Sequence, residues 1–514
     1  MQIVIKIIVI LFHVSSGLLC HEPQSKKNTA AKNETKIMVH YMPWYQTPEV
    51  SGYWGWHWTM NHFNPESISA DGRRDIASQY YPLTGPYDSQ DPDILEYQVL
   101  LMKLSGIDGV IVDWYGMDNF WDYGTLNKST NSLFSYIKKA HLKFALCYED
   151  QTVKHMVEND YLKAENALDH GRDIMLYAQD NWFRDDAYLK LNDRPLLLTF
   201  GPQYFYESSD WDYLFSVLDM VPAFFTLENR LETAAVGGYP WPPMWASVDG
   251  VLSMLDLNKY LNAFYQKSDN WDNLVASAFP AFNDIYEQAG VGDSYGFLDP
   301  MDGFTLLNTL SKALYKNPDV LQIVTWNDYG EGTIVEPTRE FGYRYLEIIQ
   351  ETKVELTDSV FSHTSEDLKI PKQIYDLRKE NKNSMAVNRT LDSVFDLIIN
   401  GDISVARFMI DSLSNTTGIT DEWIHAPREI DMSNCYPNPF NAVTSFEIKI
   451  DNPAKVEITV HDILGKKVAA LLNKKLASGS YQLQWSAVTE TSGIYFITIK
   501  SETFQETKKV FLIK

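Results

Sequence analysis

Leu321-Gln322-Ile323-Val324-Thr325-Trp326-Asn327-Asp328-Tyr329-Gly330-Glu331-Gly332-Thr333 opens as a β-branched apolar run and ends in a glycine-broken polar turn. The run reads as a buried strand. Gly330 and Gly332 break it, releasing Asp328 and Glu331 where strand becomes loop. In a regular strand, residues three apart point to opposite faces, so bringing both acids to one side requires a turn or bulge at Gly330. Two carboxylates flanked by Trp326 and Tyr329 meet the demands of glycosidic bond cleavage. One acid protonates the leaving oxygen, and the other supports the reacting carbon or activates a nucleophile. A plainer reading stands beside this one, because acids after a strand often just cap a helix or hold a loop.

Working outward, the same rhythm recurs. Apolar runs at Lys36–Tyr41, Gly109–Tyr115, Lys143–Asp150, Arg194–Phe200, Ala223–Asn229, Gly250–Met254 and Asn273–Pro280 precede the opening stretch. Helical patterns separate most of them: Ile94–Leu104 closed by Gly106, Ser132–Ala140, Ala164–Gln179, Trp211–Leu218, Leu257–Gln266 and Leu306–Tyr315. Continuous apolar strands alternating with helices predict a parallel sheet buried on both faces. Eight such units predict a (β/α)8 TIM barrel over residues 36–350, with its active site at the carboxyl ends of the strands. Polar groups stand at several of those ends: His40, Asp113, Glu149, Glu228 and Asp328.

Composition narrows the function class. Lys+Arg 44 against Asp+Glu 68 gives a net charge of −24, which argues against nucleic acid and anionic membranes as partners. The 14 Trp and 30 Tyr gather partly in loop-like stretches, notably Tyr53 to Phe63 after the first strand, where they serve better as ring platforms than as core. For any single Trp, packing remains the ordinary role. Cys20, Cys147 and Cys435 form no disulfide framework and no CxxC zinc motif. His40 and His57 raise the question of a metal, but no HxH or HExxH spacing occurs, so no metal or cofactor is expected.

Residues 1–20 read as a signal peptide cleaved near Cys20, with a loose likeness to a lipoprotein box that Leu19 fits poorly. Its apolar stretch is short for a membrane span, and nothing after it is long and apolar enough to be one. Residues 21–35 are a polar lead-in. Residues 351–431 turn charged and Asn/Ser-rich, with helical patterns near Gln373–Asn381 and Leu391–Leu413, and are expected to be a helical hairpin or linker without chemistry of its own. From 432 to 514 the pattern alternates with period two, at Ser445–Ile450, Val456–His461, Ser480–Trp485 and Gly493–Ile499, which predicts an antiparallel β-sandwich. Cys435-Tyr436-Pro437-Asn438-Pro439-Phe440-Asn441, Asp462-Ile463-Leu464-Gly465, Ser492-Gly493-Ile494-Tyr495 and the terminal Lys508–Lys514 resemble the C-terminal sorting domain of type IX secretion. That resemblance implies the type IX machinery as a partner and a final place outside the cell or on its surface. The plainer alternative is a generic accessory sandwich.

The barrel also carries a resemblance. Trp326-Asn327-Asp328-Tyr329-Gly330-Glu331 is similar to the motif of the glycoside hydrolase family 71 α-1,3-glucanases. The following Gly332-Thr333-Ile334-Val335-Glu336-Pro337 is more like family 99, the endo-α-mannosidases and mannanases. Tyr41-Met42-Pro43-Trp44-Tyr45, Tyr87–Asp93, Asp113-Trp114-Tyr115 and Tyr148-Glu149 resemble family 99 at corresponding places. The resemblance implies Asp328 and Glu331 as the catalytic pair, with Glu331 the general acid. In family 99 the first acid is a Glu that assists the sugar's own 2-hydroxyl; an Asp at 328 instead fits activation of water with inversion, as in family 71. Glu149 is implied to hold a sugar hydroxyl. Tyr41, Trp44, Tyr45, His57, Trp58, Asp113, Trp114, Tyr115, Trp326, Tyr329 and Glu336 are candidate substrate-binding residues, with Asn283 and Asp284 further ones. The expected activity is hydrolysis of an α-linked glycan, of α-mannan or α-glucan type. From another class, the same barrel would suit a non-catalytic glycan-binding protein at the cell surface.

Overall fold

The computed structural model describes residues 35–356, 361–417 and 430–512, apart from short breaks at 434, 439, 451–452, 463–465 and 502–504. The expected signal peptide at residues 1–20, and the lead-in up to residue 34, lie outside the described residues. Eight strands make one parallel sheet: β1 (Lys36–Tyr41), β2 (Gly109–Trp114), β3 (Lys143–Tyr148), β4 (Arg194–Thr199), β5 (Ala223–Leu227), β6 (Gly237–Tyr239), β7 (Val275–Ala278) and β8 (Val320–Ile323). Their order in space is β6-β5-β4-β3-β2-β1-β8-β7. The last strand therefore sits beside the first, with Val39 of β1 registered to Val110 of β2 on one side and Ile323 of β8 on the other. Every residue of β2 and β8 is buried, as expected of strands covered on both faces. The sheet curls into a nearly closed barrel whose edges, β6 and β7, approach where Gly237 meets the Asn273 carbonyl.

Helices cover the outside: α1 (Pro92–Ser105), α2 (Tyr123–Lys139), α3 (Gln151–Glu158), α4 (Ala167–Ala178), α5 (Ser208–Phe215), α6 (Met254–Ser268) and α7 (Phe304–Tyr315). Local chemistry sets their ends. In α1, Asp91 caps the start by accepting the Asp93 N–H, Pro92 occupies the first turn, and Gly106 ends it at φ +81°.

One strand differs from the sequence expectation. Gly250–Met254 was expected as the sixth strand, but Gly250 and Val251 lie in a tight turn bridging Val248 and Val251, and Ser253 is the N-cap of α6. The sixth strand is instead Gly237–Tyr239. A side chain at Gly237 would lie 2.5 Å from the Asn273 carbonyl, and one at Gly238 would lie 2.9 Å from the Asn229 backbone. Closing the barrel there demands glycines, which erase the β-branched signal that marks the other strands.

Past β8 the chain continues as α8 (Arg344–Leu356), α9 (Ile370–Glu380), α10 (Met385–Ile399) and α11 (Ile403–Thr417). The stretch is helical as expected, and its second pattern divides at Gly401, which adopts φ +89°. These helices pack on the barrel. Arg378 of α9 forks onto Glu96 of α1 with two 2.8 Å bonds, and Lys353 of α8 pairs with Asp108 at 3.0 Å. The first compact unit accordingly runs to Leu413.

The second unit, from Ser414, contains two antiparallel sheets. One joins β9 (Ile430–Met432), β10 (Val443–Ile450) and β13 (Gly479–Ser486). The other has the order β12 (Lys467–Leu476), β11 (Ala454–Asp462), β14 (Gly493–Lys500), β15 (Gln505–Leu512). Phe446, Ile448, Ile458, Trp485, Ile497 and Val510 lie in its core. The Lys-rich β12 escaped the sequence reading because most of its residues are exposed or half-buried and no strict alternation survives on this edge.

Candidate active site

The loop leaving β8 carries both acids. Its turn is closed by Asp328, whose carbonyl accepts the Gly332 N–H (2.9 Å) and whose Oδ1 accepts the Glu331 N–H (3.0 Å). The pivot is Gly332, at φ +67°, rather than Gly330. A Cβ at 332 would lie 2.8 Å from the Asn283 carbonyl and 3.0 Å from the Tyr80 ring, so both conformation and space require glycine there. The Asn283 N–H donates to the Glu331 carbonyl (2.8 Å) and the Ile285 N–H to the Gly330 carbonyl (3.0 Å). The acid loop is thereby strapped to the segment following β7.

Asn327 ties the loop to β1. Its Oδ1 accepts the Met42 N–H (2.9 Å), and its Nδ2 donates to the Met42 carbonyl and to the Tyr87 hydroxyl, each at 3.0 Å. The Tyr45 hydroxyl donates to the Asn327 carbonyl (2.8 Å) and accepts the Tyr329 N–H (3.1 Å). Beneath them Glu336 accepts from Tyr87, Tyr329 and Gln98, at 2.8, 2.9 and 2.7 Å. Burial pushes its carboxyl up to about 7, although these donors favour the charged form.

Asp328 and Glu331 open into a cavity of about 180 Å3 at the carboxyl ends of the strands. Of the expected residues, the structure brings Trp44, Asp113, Tyr115 and Glu149 to the same cavity. It also brings His40, Met42, Gln151, Phe200, Trp241 and Tyr286. The others stand behind its walls. Tyr41 donates to Gln98 (2.7 Å), and Trp58 donates to the Tyr87 carbonyl (2.7 Å) and packs at 4.1 Å from Tyr45. His57 stacks flat on Trp44 at 4.0 Å. Trp114 donates to Asn127, while Trp326 and Tyr329 are fully buried. Asn283 and Asp284 also lie outside the wall. Asp284 accepts from Ser294 and from the Tyr286, Tyr295 and Gly296 N–H groups, fixing the loop next to the strap. Glu336, too, is a support under the site rather than part of its lining.

The electrostatics separate the acids. Burial raises Asp328, but the Glu331 and Gly330 N–H groups favour its charged form. Glu331 is raised well above the usual carboxylate range, by burial first and then by Asp328, Asp284 and Asp113. Its Oε2 is buried without a hydrogen-bond partner among the described residues. Burial favours the neutral form of both acids, and backbone donors oppose it at Asp328, a division that suits acid–base work. Asp113 is also raised, by burial and then by Asp328, with its hydrogen bond to Glu149 opposing the shift, whereas Glu149 is raised by burial and by Asp113; Gln151 donates to Glu149 (2.8 Å). Among the described residues, no Lys or Arg lines this cavity of four carboxyl groups.

Some of this lining left a trace in the sequence: Phe200 ends the fourth apolar run, and Trp241 belongs to a Trp/Pro-rich stretch, Tyr239-Pro240-Trp241-Pro242-Pro243-Met244-Trp245. Tyr286 left none, because its place depends on the strap after β7.

The chain resembles known proteins in two separate regions. The description "Glycosyl hydrolase family 99" matches residues 32–219, and "Secretion system C-terminal sorting domain" matches residues 434–514. A glycoprotein endo-alpha-1,2-mannosidase-like protein of Mus musculus is 35% identical over 328 residues, 58% of this chain and 69% of its own length. The glycoprotein endo-alpha-1,2-mannosidase of Rattus norvegicus is 24% identical, over 65% of this chain and 75% of its own. Among solved structures, the family 99 endo-alpha-mannosidase from Bacteroides thetaiotaomicron aligns with a TM-score of 0.46 at 19% identity, covering 62% of this chain and 96% of that one. The sorting domain marks the chain for type IX export to the cell surface or beyond. Among the described residues, no helix is long and apolar enough to cross a membrane.

Proposed function

The chain belongs to glycosyl hydrolase family 99, and on that footing we propose that it cleaves an α-linked glycan, of α-mannan or α-glucan type, with Asp328 and Glu331 as its working pair. The observation that carries this reading is the loop that holds both carboxyl groups in one cavity, where the surroundings favour the protonated form of Glu331. Glu331 donates that proton to the departing glycosidic oxygen. Asp328, ionised first, takes a proton from the attacking group. That group is a water, giving inversion, or the sugar's own 2-hydroxyl, giving retention.

Trp44 and Tyr115 offer ring faces, while Glu149 and Asp113 offer oxygens to sugar hydroxyls. The relative named as a glycoprotein endo-alpha-1,2-mannosidase supports α-mannosides as the first substrates to try. The purified full chain should release oligosaccharides from α-mannan or α-1,3-glucan, with NMR of the fresh product reporting its anomer. Asp328→Asn and Glu331→Gln should each lower turnover by a factor of about 10² or more while leaving glycan binding in place. If wild type binds these glycans without releasing product, the barrel is a binding protein and the proposal fails.

A further inference from the structure

Three strands end in potential metal ligands that no linear motif connects. His40 is the penultimate residue of β1, Asp113 of β2 and Cys147 of β3. Asp113 and Cys147 are direct neighbours in the parallel register, and His40 pairs with Ile111, two residues before Asp113 on the same side of the sheet. Each offers one ligand atom, and the three atoms lie within 4.8 Å of one another. All three side chains are buried.

Two of these ligand residues have unmet bonding capacity. His40 Nε2 and Asp113 Oδ1 are both buried without a hydrogen-bond partner among the described residues. Leaving such groups unpaired is costly, and a ligand that meets both removes that cost. On its other side, His40 Nδ1 faces the Gln322 Oε1 at 3.4 Å, while the Gln322 amide nitrogen points to Ser277 Oγ, also at 3.4 Å. That orientation puts the imidazole proton on Nδ1 and leaves the Nε2 lone pair free, as an oriented metal-binding histidine needs.

We propose that His40, Asp113 and Cys147 form a binding site for a zinc-class divalent cation in the floor of the cavity. Imidazole, carboxylate and thiolate together favour zinc over magnesium or calcium, which prefer all-oxygen sets. Binding displaces the Cys147 thiol proton to solvent. The thiolate and the Asp113 carboxylate then balance the two charges of the ion. His40 and Asp113 line the cavity, and Cys147 lies beneath them. The ion's remaining coordination positions consequently face the cavity, open to water or to neighbouring sugar hydroxyls. A cation here also offsets the carboxyl groups gathered around a space that, among the described residues, no Lys or Arg lines. The expectation of no metal rested on linear spacing, which is blind to ligands spread over three strands.

The test loads the full-length protein with zinc or with cobalt(II), followed by desalting. About one metal ion per chain should remain, and the cobalt form should show a thiolate charge-transfer band. Cys147→Ser should abolish the band and weaken zinc binding by roughly a hundredfold or more. His40→Gln gives an independent check should Cys147→Ser fold poorly. Gln322→Leu, which touches no metal, should weaken zinc binding by roughly ten- to a hundredfold through loss of the imidazole's orientation. Wild type that retains no metal, or a cobalt band that survives Cys147→Ser, overturns the proposal. Neither outcome depends on whether the chain hydrolyses a glycan.

Discussion

Replacing Gly332 by Ala tests whether the acid loop is held as tightly as its geometry implies. The left-handed conformation at φ +67° costs a residue with a Cβ about 1–2 kcal/mol. The added methyl group would also lie 2.8 Å from the Asn283 carbonyl, which belongs to the backbone of the strap and must move aside. Together these give a loss of about 2–3 kcal/mol. At about 2–4 °C per kcal/mol, the barrel's melting temperature falls by about 4–12 °C. The effect on rate is larger than the effect on stability, because the same strap segment holds the Glu331 carbonyl at 2.8 Å. Displacing a catalytic group by roughly 1 Å costs about 10²-fold in rate.

Gly330→Ala is the internal control. Its nearest neighbour is the Met60 Cε at 3.0 Å, the free end of a flexible chain, and its backbone is not left-handed. That variant should lose less than about 1 kcal/mol and keep most of its activity. Thermal unfolding and initial rates on the substrate that wild type turns over would separate the two. Equal damage at both positions, or a Gly332→Ala variant with wild-type kcat, would refute the account of the pivot.

The rate should follow a bell-shaped pH profile. Its acid limb lies above the ordinary carboxylate range, because Asp328 is raised and must be ionised, and its alkaline limb is set by the proton on Glu331. Asp284→Asn removes a charge that raises Glu331, so the alkaline limb should move to lower pH in kcat/KM profiles while the acid limb stays. Glu336 has a folded-state value of about 7 against 4.5 for the free group, so the folded state holds the proton more tightly. Its contribution to stability is full below about pH 4.5, falls as pH rises towards 7 by about 3 kcal/mol, and is level above that. Denaturant midpoints at about pH 5 and about pH 8 should show that slope in wild type and a reduced one in Glu336→Gln. Arg378→Met strands the buried Glu96 and should cost about 3–5 kcal/mol, most of it recovered when Glu96→Gln is added.

The barrel was legible in the sequence because its strands are buried on both faces, so apolar runs such as Val110-Ile111-Val112 and Leu196-Leu197-Leu198 stand out without any partner. β6 was not legible, since the close approach that closes the barrel selects two glycines. Asp328 and Glu331 could be picked from one loop, as could the acids ending β2 and β3. The walls were harder to read. Tyr45, Trp58 and Tyr329 lie among aromatic motifs that suggest sugar platforms, yet their hydroxyl or indole groups bond to backbone and to Glu336 behind the cavity. Sequence shows which residues belong near a site, but only packing decides which face of them meets the substrate. The grouping of His40, Asp113 and Cys147 was hidden for a related reason, because strand register rather than spacing makes them neighbours.

The place of β8 has a consequence for how the protein is made. β8 is the last barrel strand to be synthesised, yet it completes the pairing of the first, and Asn327 then closes on Met42. A polypeptide halted before residue 320 would carry Asp113 and Glu149 but neither Asp328 nor Glu331, and β1 would be left with an open edge. The sorting segment at 434–514 is translated later still. Any molecule that displays this export label has therefore already received every strand and both acids, while abortive products remain unlabelled. The tail acts as an address and also as a certificate that the chain before it was finished.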